Sequence, residues 1–448
     1  MLFIQESRFI RGFFFTFTPM EIASLYEIFL GSKGLVTDTR KIEKNHLFFA
    51  LVGEHFNGNK FAAQALEKGA CYAVVDDANY HTGDRTILVK DSLKALQELA
   101  TYHRQQLNIP ILALTGSNGK TTTKELLNAV LSRRFNTVAT IGNLNNHIGV
   151  PLTLLSMNQH TEFGIVEMGA NHAKEIAFLC GIAMPDYGYI TNFGKAHLEG
   201  FGSMEGVIQA KSELYQYLIE NEKTIFYNVE DPIQKKKLMA YTKVYGFGLE
   251  KDNPISDINI ELVQSHPFVS VHFNATEIQT NLIGAYNFTN IAAAICAGSY
   301  FKIDAHKIKE AISNYIPSNN RSQIVEKGNV KIILDAYNAN PSSLQAALSN
   351  FADVDQNNKA VILGDMLELG PDAAKEHQHI VEVLAEYKLD NVYLIGENFY
   401  QTQGMQLKYR NFDEFKEAFP KALKDNKAKL YLIKGSRGMA LERVLELF

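Results

Sequence analysis

From Ile109 onward the chain alternates short apolar runs with amphipathic stretches. Ile109–Leu114, Thr137–Thr140, Phe163–Glu167, Tyr187–Asn192 and Thr224–Asn228 are too short and too uniformly apolar for surface helices, and they read as buried strands. Thr122–Leu131 has helical spacing between two of them. Strands alternating with helices predict an α/β fold, a mostly parallel sheet covered on both faces. Residues 257–283 break the rhythm with strand-like alternation, expected to be an antiparallel extension, before a helix at Asn287–Tyr300. The rhythm resumes near Pro317. Val330–Leu334, Ala360–Leu363, Val392–Ile395 and Leu430–Ile433 are strands, each followed by a helical stretch. Upstream, Lys60–Lys68 is helical, Tyr72–Val75 and Thr86–Val89 are strands, and Ser92–Gln106 is a long amphipathic helix. Asn108-Ile109-Pro110 marks a boundary, because the residue before a proline resists helix. The expected organisation is an extension at 1–19, a small α/β domain at 20–107, a central domain at 108–316 and a C-terminal Rossmann-like α/β domain at 317–448.

Composition narrows the classes. A chain of 448 residues exceeds one ordinary core. With 46% hydrophobic and 21% charged residues it describes a globular protein, and a net charge of −5 without a basic stripe excludes a general nucleic-acid binder. Cys71, Cys180 and Cys296 are far apart and form no CxxC pair, which suits thiols in a reducing cytosol. No run approaches the ~20 apolar residues of a membrane span. Arg8, Arg11 and Gly12–Met20 imitate a signal peptide, but Pro19 interrupts the apolar core and no small-residue cleavage site follows before Glu21. A cytoplasmic monomer, not inserted in a membrane, is expected, with residues 1–19 dispensable.

The densest chemistry lies at Thr115-Gly116-Ser117-Asn118-Gly119-Lys120-Thr121-Thr122, between a predicted strand and a predicted helix. Glycines let backbone wrap closely round phosphate oxygens, and a helix N-terminus turns unpaired N–H groups toward an anion. Lys120 would sit on the outer phosphates, and the Thr121 hydroxyl would take a Mg²⁺ position. Leu114 stands where the usual pattern has its first glycine, so the loop is a variant. The chain is therefore expected to bind a nucleoside triphosphate. Glu167, at a strand end beside the loop strand, is placed to hold Mg²⁺ directly or through water. Alone it could be an ordinary strand-end carboxylate. His197 lies in the polar, glycine-rich loop Asn192–Ser203, where α/β sheets place ligands, although a lone histidine is more often structural. Asn145 and Asn146 could bind polar substrate groups or cap a turn. Asn287 and Asn290 share one helix face, one suited to capping the helix and the other to reading a base edge.

Together these pieces resemble the Mur ligase family, ATP-dependent amide-forming enzymes of bacterial cell-wall synthesis whose loop reads T-G-x-x-G-K-T-[TS]. The resemblance runs from about Met20 to the C-terminus. Thr37–Lys41, Leu47–Gly53 and Phe56–Gly58 look like its UDP-sugar-binding domain, Asn145–Pro151 resembles an N-N-x-I-G-x-P segment, and Ala196–Ser203 resembles A-H-L-E-x-F-G-S. Asp335-Ala336-Tyr337-Asn338-Ala339-Asn340-Pro341 stands where branches adding other amino acids carry a histidine-containing D-x-x-H-x-x-P, and so points to the branch that adds D-alanyl-D-alanine to UDP-N-acetylmuramoyl-tripeptide. Gly364–Gly370 and Lys434–Arg437 complete the pattern.

The resemblance implies roles residue by residue. Thr115–Thr122 bind ATP, with Lys120, Lys211 and His197 catalytic. Thr121, Glu167, His197 and Lys211 surround Mg²⁺, Lys211 aligning with a lysine carried as a carbamate. Asn287 and Asn290 flank the adenine, while Arg321 and Asp335 reach phosphate and ribose from the C-terminal domain. Asn320 precedes Arg321 where the family usually has glycine. Asp38, Thr39, Arg40, Asn145, Asn146, Tyr337, Asn338 and Asn340 contact the substrates. The implied reaction phosphorylates the tripeptide carboxylate and lets the dipeptide amine displace phosphate. Other readings are a ligase adding the third peptide residue, a folylpolyglutamate synthase-like ligase, or a nucleotide switch without ligase activity. No local motif reports the third residue of the tripeptide.

Overall fold

The computed structural model describes residues 21–249, 253–318, 320–354, 358–389, 391–425 and 428–448. The expectation for residues 1–19 lies outside them. The chain divides into two compact units, one up to His103 and one from Arg104 onward.

The first unit is built on a four-stranded parallel sheet in the order Gly34–Val36, His46–Phe49, Tyr72–Val75 and Thr86–Leu88. Phe48, Ala65, Ala73 and Val75 belong to one buried cluster. The helix expected over Lys60–Lys68 is a 3₁₀ turn, Gly58–Phe61, that runs on into Ala62–Glu67. A methyl on Gly58 would meet the Leu51 carbonyl at 2.5 Å, so the chain comes too close there for a side chain.

The second unit holds two α/β sheets. The larger has seven parallel strands in the order Ile258–Asn259, Val244–Gly248, Thr224–Asn228, Tyr187–Ile190, Ile111–Thr115, Phe163–Glu167 and Thr137–Ala139. Ile111–Thr115 and Phe163–Glu167 are buried along their whole length, as continuous apolar runs require in a sheet covered on both faces. From Ile111–Thr115 the chain first fills one side of the sheet, then crosses to Tyr187–Ile190 on the other. The C-terminal ends of these central strands therefore diverge at a switch point, where open α/β sheets bind ligands. Helix Lys120–Leu131 packs on Phe288–Tyr300. The small residues Ala293, Ala294 and Ala297 share its core with Leu127, Val130 and Leu131.

Strands Glu261–Gln264, Ser270–Phe273 and Thr276–Gln279 form the expected antiparallel sheet. Ile258–Asn259 does not join it and extends the large sheet in parallel. Alternation at period two fixes which faces are buried and says nothing of a partner's direction.

The remaining sheet has six strands in the order Gln323–Lys327, Val330–Asp335, Leu430–Lys434, Lys359–Gly364, Asn391–Ile395 and Leu407–Tyr409. All are parallel except Gln323–Lys327, which pairs back on Val330–Asp335 as a hairpin. The stretch after Leu430–Lys434 is 3₁₀, not α: Leu441 and Val444, three apart, are the buried positions of Leu441–Leu447, and that spacing matches a three-residue turn. No helix among the described residues is long and apolar enough to cross a membrane.

Candidate active site

The strand Ile111–Thr115 delivers the phosphate loop to the switch point. Gly116 has φ +147° and Gly119 φ +77°. A methyl on Gly116 would lie 1.9 Å from Thr191 Oγ1, and one on Gly119 2.4 Å from Asn290 Oδ1. Gly119 also occupies the N-cap of Lys120–Leu131 and supplies no capping side chain, so the first-turn N–H groups stay available to an anion. The loop is tied down from the neighbouring strand. Asn118 N–H donates to Asn192 Oδ1 (3.0 Å), Thr191 Oγ1 to the Asn118 carbonyl (2.6 Å), and Ser117 Oγ to the Gly194 carbonyl (2.9 Å). Lys120 Nζ donates to the Gly116 carbonyl at 2.6 Å, folded over its own loop. Burial and the nearby Arg321 charge press its ammonium below the usual lysine range, against the pull of Glu167.

The loop floors a cavity of about 920 Å³, ample for a nucleotide. Glu167 is buried beside it. Its Oε1 accepts from Asn145 Nδ2 at 2.8 Å, whereas Oε2 has no hydrogen-bond partner and lies 4.0 Å from Lys124 Nζ. A buried carboxylate oxygen without a donor suits a hard cation. Among the described residues no three His, Cys, Asp or Glu side chains converge as a cage. Glu167 and Thr121, which line the same cavity, therefore fit Mg²⁺, which takes one or two carboxylates and completes its shell with phosphate and water, and would not fit an all-protein Ca²⁺ cage.

The other candidates are placed unevenly. His197 lines the cavity with φ +51°, but its Nδ1 is 2.5 Å from Glu368 Oε2, and that contact holds the Glu368 carboxyl below its ordinary range. Lys211, on Met204–Glu220, is buried outside the cavity lining. Its Nζ donates to the carbonyl of cavity-lining Ala170 at 3.2 Å and lies 5.1 Å from the centre of the Phe201 ring. Asn146 caps the backbone of Ile148 and Gly149, the turn role left open by the sequence, while Asn145 steadies Glu167. Neither asparagine of the other pair caps its helix. Asn287 sits at the N-cap without a side-chain bond and donates instead to the Ile283 carbonyl, while Asn290 donates to Asn287 and accepts from Thr123 Oγ1. Both still face the cavity.

From the C-terminal sheet come Arg321, Asp335, Tyr337, Asn338 and Asn340. The Arg321 guanidinium lies 3.4 Å from the centre of the Tyr337 ring. Asp335 accepts from Ser322 N–H (3.1 Å) and Lys434 Nζ (2.5 Å), and Lys434 also donates to the Asn338 carbonyl. Asn340 caps the helix Pro341–Asp353 in a capping box with Ser343, and its Nδ2 reaches Asn118 Oδ1 in the phosphate loop at 2.7 Å. In the first unit, Asp38 caps the turn Thr39–Lys41 and grips the Arg40 guanidinium in a two-pronged pair, which holds its carboxyl down at about 2.

Sequence reading missed Lys124 and the Lys195–Glu376 pair (2.7 Å), and it named Lys434 within a motif without giving it a role. Lys124 was findable, one turn after Lys120 on the same face. Lys434 faces Asp335 across two parallel strands far apart in sequence, a register that no local pattern reports.

Family models fall on all of this framework: "Mur ligase family, catalytic domain" on residues 32–104, "Mur ligase middle domain" on 114–298 and "Mur ligase, glutamate ligase domain" on 320–437. The chain is 36% identical over 429 residues, 92% of its own length and of the relative's, to UDP-N-acetylmuramoyl-tripeptide–D-alanyl-D-alanine ligase from Bacillus subtilis. The chain belongs to the Mur ligase family. Its fold is similar to that of MurF from Acinetobacter baumannii (TM-score 0.83, 28% identity, 96% of this chain and 98% of that one). It is also similar to MurF from Thermotoga maritima in complex with ADP (TM-score 0.79, 28% identity, 94% and 97%). Three α/β domains, N-terminal, middle and C-terminal, are thus the Mur ligase arrangement of this chain.

Proposed function

We infer that this Mur ligase joins D-alanyl-D-alanine to UDP-N-acetylmuramoyl-tripeptide at the expense of ATP. The observation that carries the reading is the open helix N-terminus at Gly119–Lys120 and Arg321 lining one cavity, in a chain that aligns over 92% of its length with such a ligase. Among the described residues no carboxylate pairs with Arg321, so two cationic side chains confront each other and favour a polyanion between them. The tripeptide carboxylate attacks the outer phosphorus of ATP, and ADP leaves. The dipeptide amine then attacks the acyl carbon, loses a proton and expels phosphate. Lys120, the helix N–H groups and Arg321 neutralise the charge that moves onto phosphate oxygens, which explains a site without a nucleophile triad.

Mg²⁺, held by Glu167 Oε2 and the Thr121 hydroxyl, would supply further neutralisation of those oxygens. Lys211 joins this account as a carbamate. Burial and the Lys120 charge drive its pKa well below the ordinary value, which raises the share of neutral amine that can add CO₂ and release a proton. His197 and Asn287 face the nucleotide, and Asp38–Arg40 serve the uridine end. The nucleotide substrates place the enzyme in the cytoplasm, and we assign it as a monomer.

Phosphate release should require both peptide substrates, and equal turnover without the dipeptide would remove the ligase reading. Lys211→Ala should be nearly inactive and regain part of its turnover with added acetate. Full turnover in that variant would leave Glu167 to hold the metal without a carbamate.

A further inference from the structure

We propose that Tyr337 acts by positioning Arg321, not by touching the dipeptide. The inference rests on the ligase reading and reassigns a residue that the sequence placed among the substrate contacts. Three observations carry it. The first is the contact itself: the guanidinium carbon lies over the ring, 3.4 Å from its centre, where the ring quadrupole attracts the cation. Arg437 lies 5.8 Å from the same ring centre, so two arginines converge on one aromatic side chain.

The second observation is how Arg321 is mounted. Its neighbours Asn320 and Ser322 both have left-handed backbone, φ +57° and +47°. Residues other than glycine take that conformation at a cost and keep it only where their surroundings hold them. Here the surroundings are the strand-end segment that carries Tyr337. Tyr337 N–H donates to the Asn320 carbonyl (3.2 Å) and Asp335 accepts from Ser322 N–H, while the Ser322 hydroxyl is 2.8 Å from the hydroxyl of half-buried Tyr286. One segment thus fixes the backbone on both sides of Arg321 and its side chain from one face.

The third observation is the lack of another anchor. Among the described residues no carboxylate pairs with Arg321, so the ring is what orients its fork. Asp335, which would be the natural partner, is already taken by Lys434 and Ser322. An aromatic platform holds an arginine without neutralising it. The full charge and the in-plane N–H groups stay available to phosphate oxygens, whereas a carboxylate partner would compete with them.

The account needs a ring at position 337 and no hydroxyl. Tyr337→Phe should therefore keep kcat and both peptide KM values within about twofold, while Tyr337→Leu, apolar but without a ring, should lose about five- to tenfold in kcat, as expected for a partly buried cation–π contact. The dipeptide KM should stay unchanged in both. Arg321→Ala and the double variant Arg321→Ala/Tyr337→Leu should be equally slow, because Tyr337 has nothing left to position. Thermal midpoints of the four proteins identify any variant that has simply unfolded, and the Phe variant alone can refute the idea. A raised dipeptide KM in Tyr337→Phe, or losses that multiply in the double variant, would overturn the proposal and return Tyr337 to the substrate. Failure of the ligase reading would look different: the unaltered enzyme would not require both peptides.

Discussion

Two junctions in this molecule have the same plan and opposite ends. Ile111–Thr115 runs through a short loop into the helix Lys120–Leu131, and Val330–Asp335 runs through a short loop into the helix Pro341–Asp353. In the first, glycine stands at the N-cap and leaves the helix end open. In the second, Asn340 and Ser343 close a capping box, and Pro341 removes a further N–H. An open end attracts phosphate, and a sealed end builds structure. The sealed end still serves the open one, because the Asn340 side-chain amide, whose oxygen makes the cap, donates to Asn118 of the phosphate loop. Two halves of similar fold therefore contribute differently: one presents an open helix end to the cavity, and the other carries Arg321 and ties the loop through Asn340.

Four substitutions break or sharpen this contrast. Lys120→Ala removes the cation at the open end and should lower kcat by about a hundredfold or more, as losing a group that meets developing charge does. Phosphate-release kinetics check it. Gly119→Ala closes the same end sterically, by strained φ and a methyl 2.4 Å from Asn290 Oδ1. ADP should bind about tenfold more weakly, given ~1–2 kcal/mol for left-handed alanine, read by calorimetry. Asn340→Ala opens the sealed end. It should cost about 1 kcal/mol of stability and raise the ATP KM only a few-fold, since the cap is lost while the phosphate loop keeps its ties to Asn192 and Gly194.

The smallest effect concerns His377, which stands under the C-terminal sheet and far from either helix end in role. Its Nε2 accepts from Met366 N–H (3.0 Å), so the ring is neutral and Nδ1 donates to the Ala373 carbonyl (2.6 Å). Burial lowers its pKa despite nearby Asp365. The unfolded chain therefore takes up this proton first. The contribution of His377 to stability is complete above about pH 6.5 and is lost as pH falls toward the lower native pKa. His377→Gln should flatten that acid limb of the thermal midpoint and leave the midpoint at pH 8 little more sensitive to pH.

The contrast also explains what could be read in advance. The phosphate loop was legible because glycine, lysine and threonine at a strand-to-helix step carry their chemistry locally. Buried strands such as Phe163–Glu167 and Thr224–Asn228 announced themselves as continuous apolar runs, with the observed ends. Asn340 was named as a substrate contact, and its role as a helix cap with Ser343 was not read. The strand Gln323–Lys327 was missed because it is largely exposed and only Ile324 and Val325 are apolar, too short a run to announce a strand. Lys434 against Asp335 and His197 against Glu368 are contacts between segments far apart in the chain, and Tyr337 meets Arg321 only across a hairpin that was not read. Only tertiary register makes them.

The central claim is that the open helix end and Arg321 hold ATP while the tripeptide carboxylate takes its outer phosphate. Isotope transfer tests it most directly. With ¹⁸O in the terminal carboxylate of UDP-N-acetylmuramoyl-tripeptide, and ATP, Mg²⁺ and D-alanyl-D-alanine present, mass spectrometry of the released phosphate should find one ¹⁸O per phosphate. Each turnover should also give one UDP-linked pentapeptide. Unlabelled phosphate released at the same rate would mean that water, not the carboxylate, attacks ATP, and the acyl-phosphate account would fail.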